Sequence, residues 1–220
     1  MPGTMARVLS VVIATSNEGK LAELRSLLVD LPIELVSVHD VVGDVSLAED
    51  SDTFEGNAEQ KARDACRLTR MLCLADDSGL EVDALGGRPG VRTARFAHNR
   101  ATDAENNAAL LRELEEINEE ARGARFRCVL ALAGPWNTDV QFAEGRCDGR
   151  IARTPRGSGG FGYDPLFVVD ECEGRAMAEL GEDEKSVVSH RARAVRALRP
   201  ALIAAVDAQL EQAESILCND

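Results

Sequence analysis

The chain has 220 residues, 45% of them hydrophobic, enough for one large domain or two small lobes sharing a buried core. Its 38 acidic and 25 basic side chains leave a formal charge of -13. That argues against a general nucleic-acid or anionic-membrane binder, whose surface would carry a positive field, but not against a small phosphorylated ligand, since basic residues can gather locally. The six cysteines (66, 73, 128, 147, 172 and 218) form no CxxC pair. Several lie in apolar runs, so they read as reduced core residues of a cytosolic protein, and their scatter argues against zinc. Met1 to Ala6 carries no leader of signal length, and the apolar runs are far too short to span a membrane. The expectation is a soluble, cytoplasmic protein.

Val8 to Ala14 is a β-branched, nearly continuous apolar run, the pattern of a strand covered on both faces. It leads into Thr15-Ser16-Asn17-Glu18-Gly19-Lys20, after which Leu21, Leu24, Leu27 and Leu28 recur at helical spacing. Hydroxyls, an amide, a mobile glycine and a lysine thus meet at a helix N-terminus, where free N–H groups favour an anion. The loop is not GxxxxGK[ST], and a solvated first-turn lysine is the plainer alternative. Ile33 to Val38 reads as a second strand and Val41 to Asp52 as an acidic connection.

Thr53 is placed to cap a helix from Phe54 to Leu68 with Ala58, Ala62, Ala65 and Cys66 inward. Glu55 and Asn57 fall in its first turn and Lys61 one turn later. Two readings of Glu55 stand: a first-turn carboxylate that favours the helix, or an oxygen ligand to a hard cation shared with Asp77.

Met71-Leu72-Cys73-Leu74 predicts a short buried strand running into Ala75-Asp76-Asp77-Ser78-Gly79-Leu80, read as two carboxylates before a tight glycine turn. Strand side chains alternate, so Asp76 and Asp77 face opposite ways: one toward substrate or metal, the other bracing the turn. A water-facing acidic turn is the plain alternative. Arg92, Arg95, His98 and Arg100 then form a basic run. Thr102-Asp103-Ala104-Glu105 is a capping box, opening a helix with Ala108, Leu111, Leu114 and Ile117 buried and an acidic, solvated outer face.

Consecutive strands follow: Arg125 to Ala133, Thr138 to Arg146 and Cys147 to Ala152. The first two flank Gly134-Pro135-Trp136-Asn137, where Trp136 suits a surface or interface. This change of pattern predicts a single domain, 1–220, with a second lobe over about 124–180. Glycines crowd residues 157 to 162, permitting positive φ or close approach to a ligand. Phe161 and Tyr163 beside them either stack on a flat base, with Asp164 reading its edge, or plug the junction of the lobes. Lys185, His190 and Arg191 are spaced to face one cleft, Pro200 to break or kink their helix, and Leu202 to Leu217 to form a terminal one.

Four signatures, in order, resemble the inosine triphosphate pyrophosphatase family: Thr15 to Lys20; Thr53-Phe54-Glu55-Gly56-Asn57-Ala58 with Lys61-Ala62; Ala75 to Leu80 running on to Ala94-Arg95-Phe96; and Phe161-Gly162-Tyr163-Asp164-Pro165 followed by Ser189-His190-Arg191. Gly56 stands where many relatives carry a second acidic residue. The resemblance implies an elongated α/β fold, a mixed sheet with helices around it, two lobes with a nucleotide cleft between them, and a homodimer. It implies that Thr15, Ser16, Asn17, Glu18, Gly19 and Lys20, joined by Ser78 and Lys185, take the triphosphate. Glu55 and Asp77 would hold Mg²⁺, with Asp77 the proton acceptor, while Phe161, Gly162, Tyr163, Asp164, His190 and Arg191 surround the base. Asn57, Lys61, Asp76 and Arg95 are supporting candidates. The implied reaction is hydrolysis of noncanonical purine nucleoside triphosphates (ITP, dITP, XTP) to monophosphate and pyrophosphate. The competing readings are a nucleotide-binding protein without turnover, a pyrophosphatase for ordinary or methylated nucleotides, and a structural protein dimerising through Trp136 and the acidic helix.

Overall fold

The structure, a computed structural model, describes residues 8–136 and 139–217. The segment before Val8, Asn137 and Thr138 of the predicted hairpin, and Cys218-Asn219-Asp220 lie outside the described residues. Six strands form one sheet in the order β2-β1-β3-β4-β5-β6. Two compact units are distinguishable: one from the described parts of Met1–Asp76, Leu130–Ala143 and Val195–Asp220, the other from Asp77–Val129 and Glu144–Ala194.

In the first unit, β1 (Leu9–Ile13) pairs in parallel with β2 (Ile33–Ser37) along its whole length, Leu9 opposite Ile33 and Ile13 opposite Ser37. Between them runs α1 (Glu18–Leu27), which buries Leu21 and Leu24, with Leu28 just past its end also buried. Each such leucine contributes about 1.5–3 kcal/mol of burial. Val38, predicted to end the second strand, instead opens the short α2 (Val38–Val42), because Ser37 and Asp40 form a capping box there. The helix α3 (Phe54–Thr69) starts at the predicted Thr53 cap and closes at Arg70 in the left-handed region. Its inward face is the predicted Ala58, Ala62, Ala65 and Cys66, but Asn57 and Lys61 are buried with them.

Strand β3 (Cys73–Val82) corrects the sequence reading most. Asp76-Asp77-Ser78-Gly79 is not a turn; the strand runs straight through it, and only Glu81 is partly exposed. Asp-Ser-Gly turns easily in isolation, but β3 lies between β1 and β4, and ladder bonds outweigh that local tendency. The chain reverses later, where Gly86 and Gly87 adopt φ of +63° and +87°.

In the second unit, α4 (Asp103–Glu113) begins at the predicted capping box. Its buried residues are Asn106, Ala109 and Leu110, continued by Leu114 beyond its end, so the inward stripe is rotated from the predicted one and Ala108 is exposed. Strand β4 (Gly123–Ala133) alternates as far as Cys128 and is buried throughout afterwards; from Leu130 on it belongs to the first unit. The two strands predicted over 138–152 are one, β5 (Gln141–Ile151), since nothing at Arg146-Cys147 interrupts the alternation of Gly145, Cys147, Gly149 and Ile151 inward. It pairs antiparallel with β6 (Phe167–Val169), a strand the sequence reading passed over. The core here gathers Leu80, Phe126, Cys147, Ile151, Leu166 and Phe167. Arg122 is buried as well, donating to the carbonyls of Leu114, Ile151 and Ala152, which ties the end of α4 to the end of β5.

Met177–Glu179 is a 3-10 turn, and α5 (Glu182–Val188) is followed by α6 (His190–Leu217). Pro200 does not end α6: the helix runs through it, with the proline ring exposed. The mixed α/β architecture is the one implied by the resemblance. The five described cysteines are buried free thiols, and burial pushes Cys73 and Cys147 up to about 12. Among the described residues, no helix is long and apolar enough to cross a membrane.

Candidate active site

The first unit carries one cluster of the predicted residues. Asn17 caps α1, accepting from the Lys20 amide at 3.0 Å, and Thr15 Oγ1 accepts from the Asn17 amide at 3.2 Å. Gly19 is a first-turn residue of α1, at the helix N-terminus where the sequence pattern puts it. Glu18 and Gly19 place first-turn N–H groups that have no partner within the helix. Ser16 and Glu18 are exposed. The Lys20 ammonium lies 2.6 Å from Asp76 Oδ1, and the Asp76 side chain is wholly buried. A carboxylate buried to that degree needs a cation, and Lys20 is that cation.

Behind this pair, Lys61 Nζ donates to the Asp76 carbonyl at 2.8 Å and to Glu49 at 2.7 Å. Asn57 Oδ1 accepts from the Ser51 amide at 2.9 Å. Both supporting candidates thus brace backbone. Glu55 stays half-buried in the first turn of α3. A Cβ at Gly56 would overlap the Ser51 hydroxyl, which accounts for the glycine at that point.

The second unit carries the rest. Asp77 and Ser78 are both buried. The Arg191 guanidinium, also buried, donates to Ser78 Oγ at 2.9 Å and stands 5.8 Å from the centre of the Phe161 ring. Residues predicted to bind phosphate and base are here joined directly, across 113 residues of sequence. His190 stacks on Phe126 with ring centres 4.8 Å apart, and Lys185 pairs with Asp164 at 2.7 Å. Gly157, Gly160 and Gly162 have the positive φ the sequence reading allowed for, at +76°, +74° and +61°. A Cβ at Gly160 would overlap both Asp164 Oδ2 and Lys185 Nζ, so the glycine is what lets the loop lie against this pair.

Tyr163 is set apart from its neighbours. Its ring lies in the core, burial holds its phenol well above the usual range, and its hydroxyl donates to the Thr93 carbonyl at 2.9 Å. Arg95 is half-buried at the end of the 3-10 segment Gly90–Arg95. The sequence reading missed Glu49 and Thr93. Glu49 was hidden in an acidic connection, and Thr93, which also accepts from the Leu80 amide at 3.2 Å, has no local pattern to mark it.

Among the described residues no three or more His, Cys, Asp or Glu side chains gather as a metal cage. The candidate donors, Glu55 and Asp77, are hard carboxylate oxygens. Two such ligands fit a Mg²⁺ ion that completes its shell with phosphate oxygens and water, and do not fit a zinc site.

The Ham1 family model matches residues 11–201. The chain is 49% identical over 189 residues to the dITP/XTP pyrophosphatase of Geobacter sulfurreducens, covering 86% of this chain and 94% of that one. Among solved structures, a HAM1 protein from Coxiella burnetii superposes with a TM-score of 0.78 at 41% identity, covering 89% of this chain and 98% of the other. The nucleoside-triphosphatase, or dITP/XTP pyrophosphatase, of Mycobacterium abscessus gives 0.70 at 45% identity, with 87% and 100% covered. With a match across nearly its whole length, the chain belongs to the Ham1 family.

Proposed function

We propose that the chain is a hydrolase of noncanonical purine nucleoside triphosphates, of the dITP and XTP type, releasing the monophosphate and pyrophosphate after water attacks the α-phosphorus. The observation that carries this reading is Asp76-Asp77-Ser78, three consecutive buried polar residues in a single strand, with Lys20 on the first and Arg191 on the third. Such a run is costly unless its members are partnered or used in chemistry. The kinship with dITP/XTP pyrophosphatases supports the same conclusion.

Phosphoryl transfer requires charge neutralisation and alignment more than covalent help. The Lys20 ammonium has three donors; one meets Asp76, and the others serve phosphate oxygens together with the first-turn amides of α1, Thr15, Ser16 and Asn17. Arg191 donates into Ser78 Oγ, which favours that hydroxyl as a donor to phosphate. Lys185 adds a cation from α5. Glu55 and Asp77 would hold Mg²⁺, which when bound neutralises the triphosphate and improves pyrophosphate as a leaving group. Asp77 accepts the proton of the attacking water. Phe161 stacks on the base, while the Gly162 backbone, Asp164, His190 and Arg191 read its edge. Donors aimed at a 6-carbonyl accept inosine or xanthine and leave groups unpaired against the adenine amino group.

A panel of nucleoside triphosphates assayed for both products tests the reading. Equimolar monophosphate and pyrophosphate from dITP and XTP, with little from ATP, is the expected result; nucleotide binding without turnover would overturn it. The same reading takes the chain as one domain with a second lobe over about 124–180, cytoplasmic, homodimeric, and acting on free nucleotides rather than on nucleic acid or membranes. Light scattering at micromolar protein should give twice the monomer mass; the monomer mass would remove the dimer.

A further inference from the structure

The base-reading loop is held from an unexpected direction. Asp103 and Asn107 lie four residues apart on α4, so their side chains share one face. Asp103 Oδ2 accepts from the Gly162 amide at 2.7 Å, and Asn107 Nδ2 donates to the Gly162 carbonyl at 2.9 Å. Both main-chain polar groups of a glycine at φ +61° are thereby fixed. Asn107 Oδ1 is meanwhile buried with no hydrogen-bond partner. The amide cannot turn over to relieve this, because its oxygen would then oppose the Gly162 carbonyl. An unsatisfied buried acceptor is a cost, and the contact to Gly162 is what offsets it.

Each neighbour of Gly162 is tied elsewhere. The Phe161 amide donates to Asp164 Oδ2 at 3.3 Å, Lys185 on α5 holds Asp164, and Tyr163 donates to Thr93. Without the contacts from α4, Gly162 would be the loosest point of the reader. We infer that Asp103 and Asn107 are positioning residues for base selection: they touch no substrate, but they fix the loop whose donors distinguish one purine edge from another. The inference rests on the base-reading role proposed for residues 161–164. A pre-organised reader discriminates because a mismatched base leaves its fixed groups unpaired, whereas a loose loop adapts to either base.

The test uses the full chain with Asp103→Ala, Asn107→Asp and Asp103→Asn. Asn107→Asp replaces a donor with an oxygen facing a carbonyl, while Asp103→Asn keeps an acceptor for the Gly162 amide. The readouts are kcat and KM for dITP and dATP, thermal unfolding, and hydrogen exchange of the Gly162 amide in the nucleotide-free protein. Asp103→Ala and Asn107→Asp should lower the dITP:dATP ratio of kcat/KM about tenfold, mainly by raising KM for dITP, and Asp103→Asn should restore it. The Gly162 amide should exchange faster in Asp103→Ala and stay protected in Asp103→Asn. A loss shared equally by both substrates, in step with a lowered melting temperature, would reduce the pair to ordinary scaffolding and overturn the inference. If the wild-type protein does not prefer dITP, the functional reading fails instead. Exchange at Gly162 then still decides the clamp, and unchanged exchange in Asp103→Ala overturns it.

Discussion

Two lysine–aspartate pairs of almost equal length lie in this molecule, and they are built in opposite ways. Lys20 and Asp76 meet at 2.6 Å on regular structure: the lysine in the capped first turn of α1, the aspartate within β3. Lys185 and Asp164 meet at 2.7 Å against a glycine-rich loop, and Gly160 fits only because it lacks a Cβ. The first pair neutralises a wholly buried carboxylate. The second depends on three residues with positive φ and on contacts from α4, α5 and the Thr93 segment. In the proposed reading the first pair serves the triphosphate, common to every substrate, and the second joins a phosphate lysine to the loop assigned to the base, where substrates differ.

The largest effect should come from the residue beside the first pair. Asp77→Asn keeps size and strand geometry but removes the charge assigned to the metal and to the water's proton. It should fold normally and lose at least about 10²-fold in kcat, on the order of 3 kcal/mol of transition-state stabilisation. Turnover and thermal unfolding measured on one preparation separate this from a structural role, which would lower the melting temperature and spare the rate per folded molecule. Asp76→Ala comes next. It leaves the Lys20 cation largely buried without its carboxylate and should cost roughly 3 kcal/mol in denaturant unfolding. Its loss of kcat/KM should be the same for every base; a change in the dITP:dATP ratio would break the division between the two pairs.

Gly160→Ala attacks the second pair. The left-handed backbone makes any side chain costly there, by about 1–2 kcal/mol, and the added carbon displaces Asp164 and Lys185. Turnover of every nucleotide should fall, because Lys185 is assigned to phosphate, and selectivity should narrow as well, because Asp164 is assigned to the base; a fall with the dITP:dATP ratio unchanged would remove Asp164 from base reading. The smallest effect is a control for length. Arg175 and Glu184 are also 2.7 Å apart, yet their side chains are 44% and 45% exposed. Glu184→Gln should leave the unfolding midpoint unchanged, because water and salt screen such a pair.

Local features were legible in the sequence. The Thr53 cap, the small-residue face of α3, the Thr102 capping box and the strand ahead of Lys20 are each written in a few neighbouring residues. What escaped depends on distance along the chain. Asp77-Ser78-Gly79 has turn chemistry and became a strand because its neighbours in the sheet are remote in sequence. Arg191 reaches Ser78 across 113 residues and Asn107 reaches Gly162 across 55, and no window of sequence reveals either. Pro200 predicts a break or a kink on backbone grounds alone; that α6 continues through it, with the proline exposed, is a property of the fold. The candidate residues were found by type and motif, whereas the partners that hold them, Glu49, Thr93, Asp103 and Asn107, emerged only with the tertiary contacts.

The central claim is that water attacks the α-phosphorus, and the fate of an isotope tests it most directly. Hydrolysis of dITP by the wild-type protein in ¹⁸O-enriched water, followed by mass spectrometry of both products, locates the attacking oxygen. The account predicts one labelled oxygen in the monophosphate and none in the pyrophosphate. Label in the pyrophosphate, or release of the diphosphate with inorganic phosphate, would contradict it.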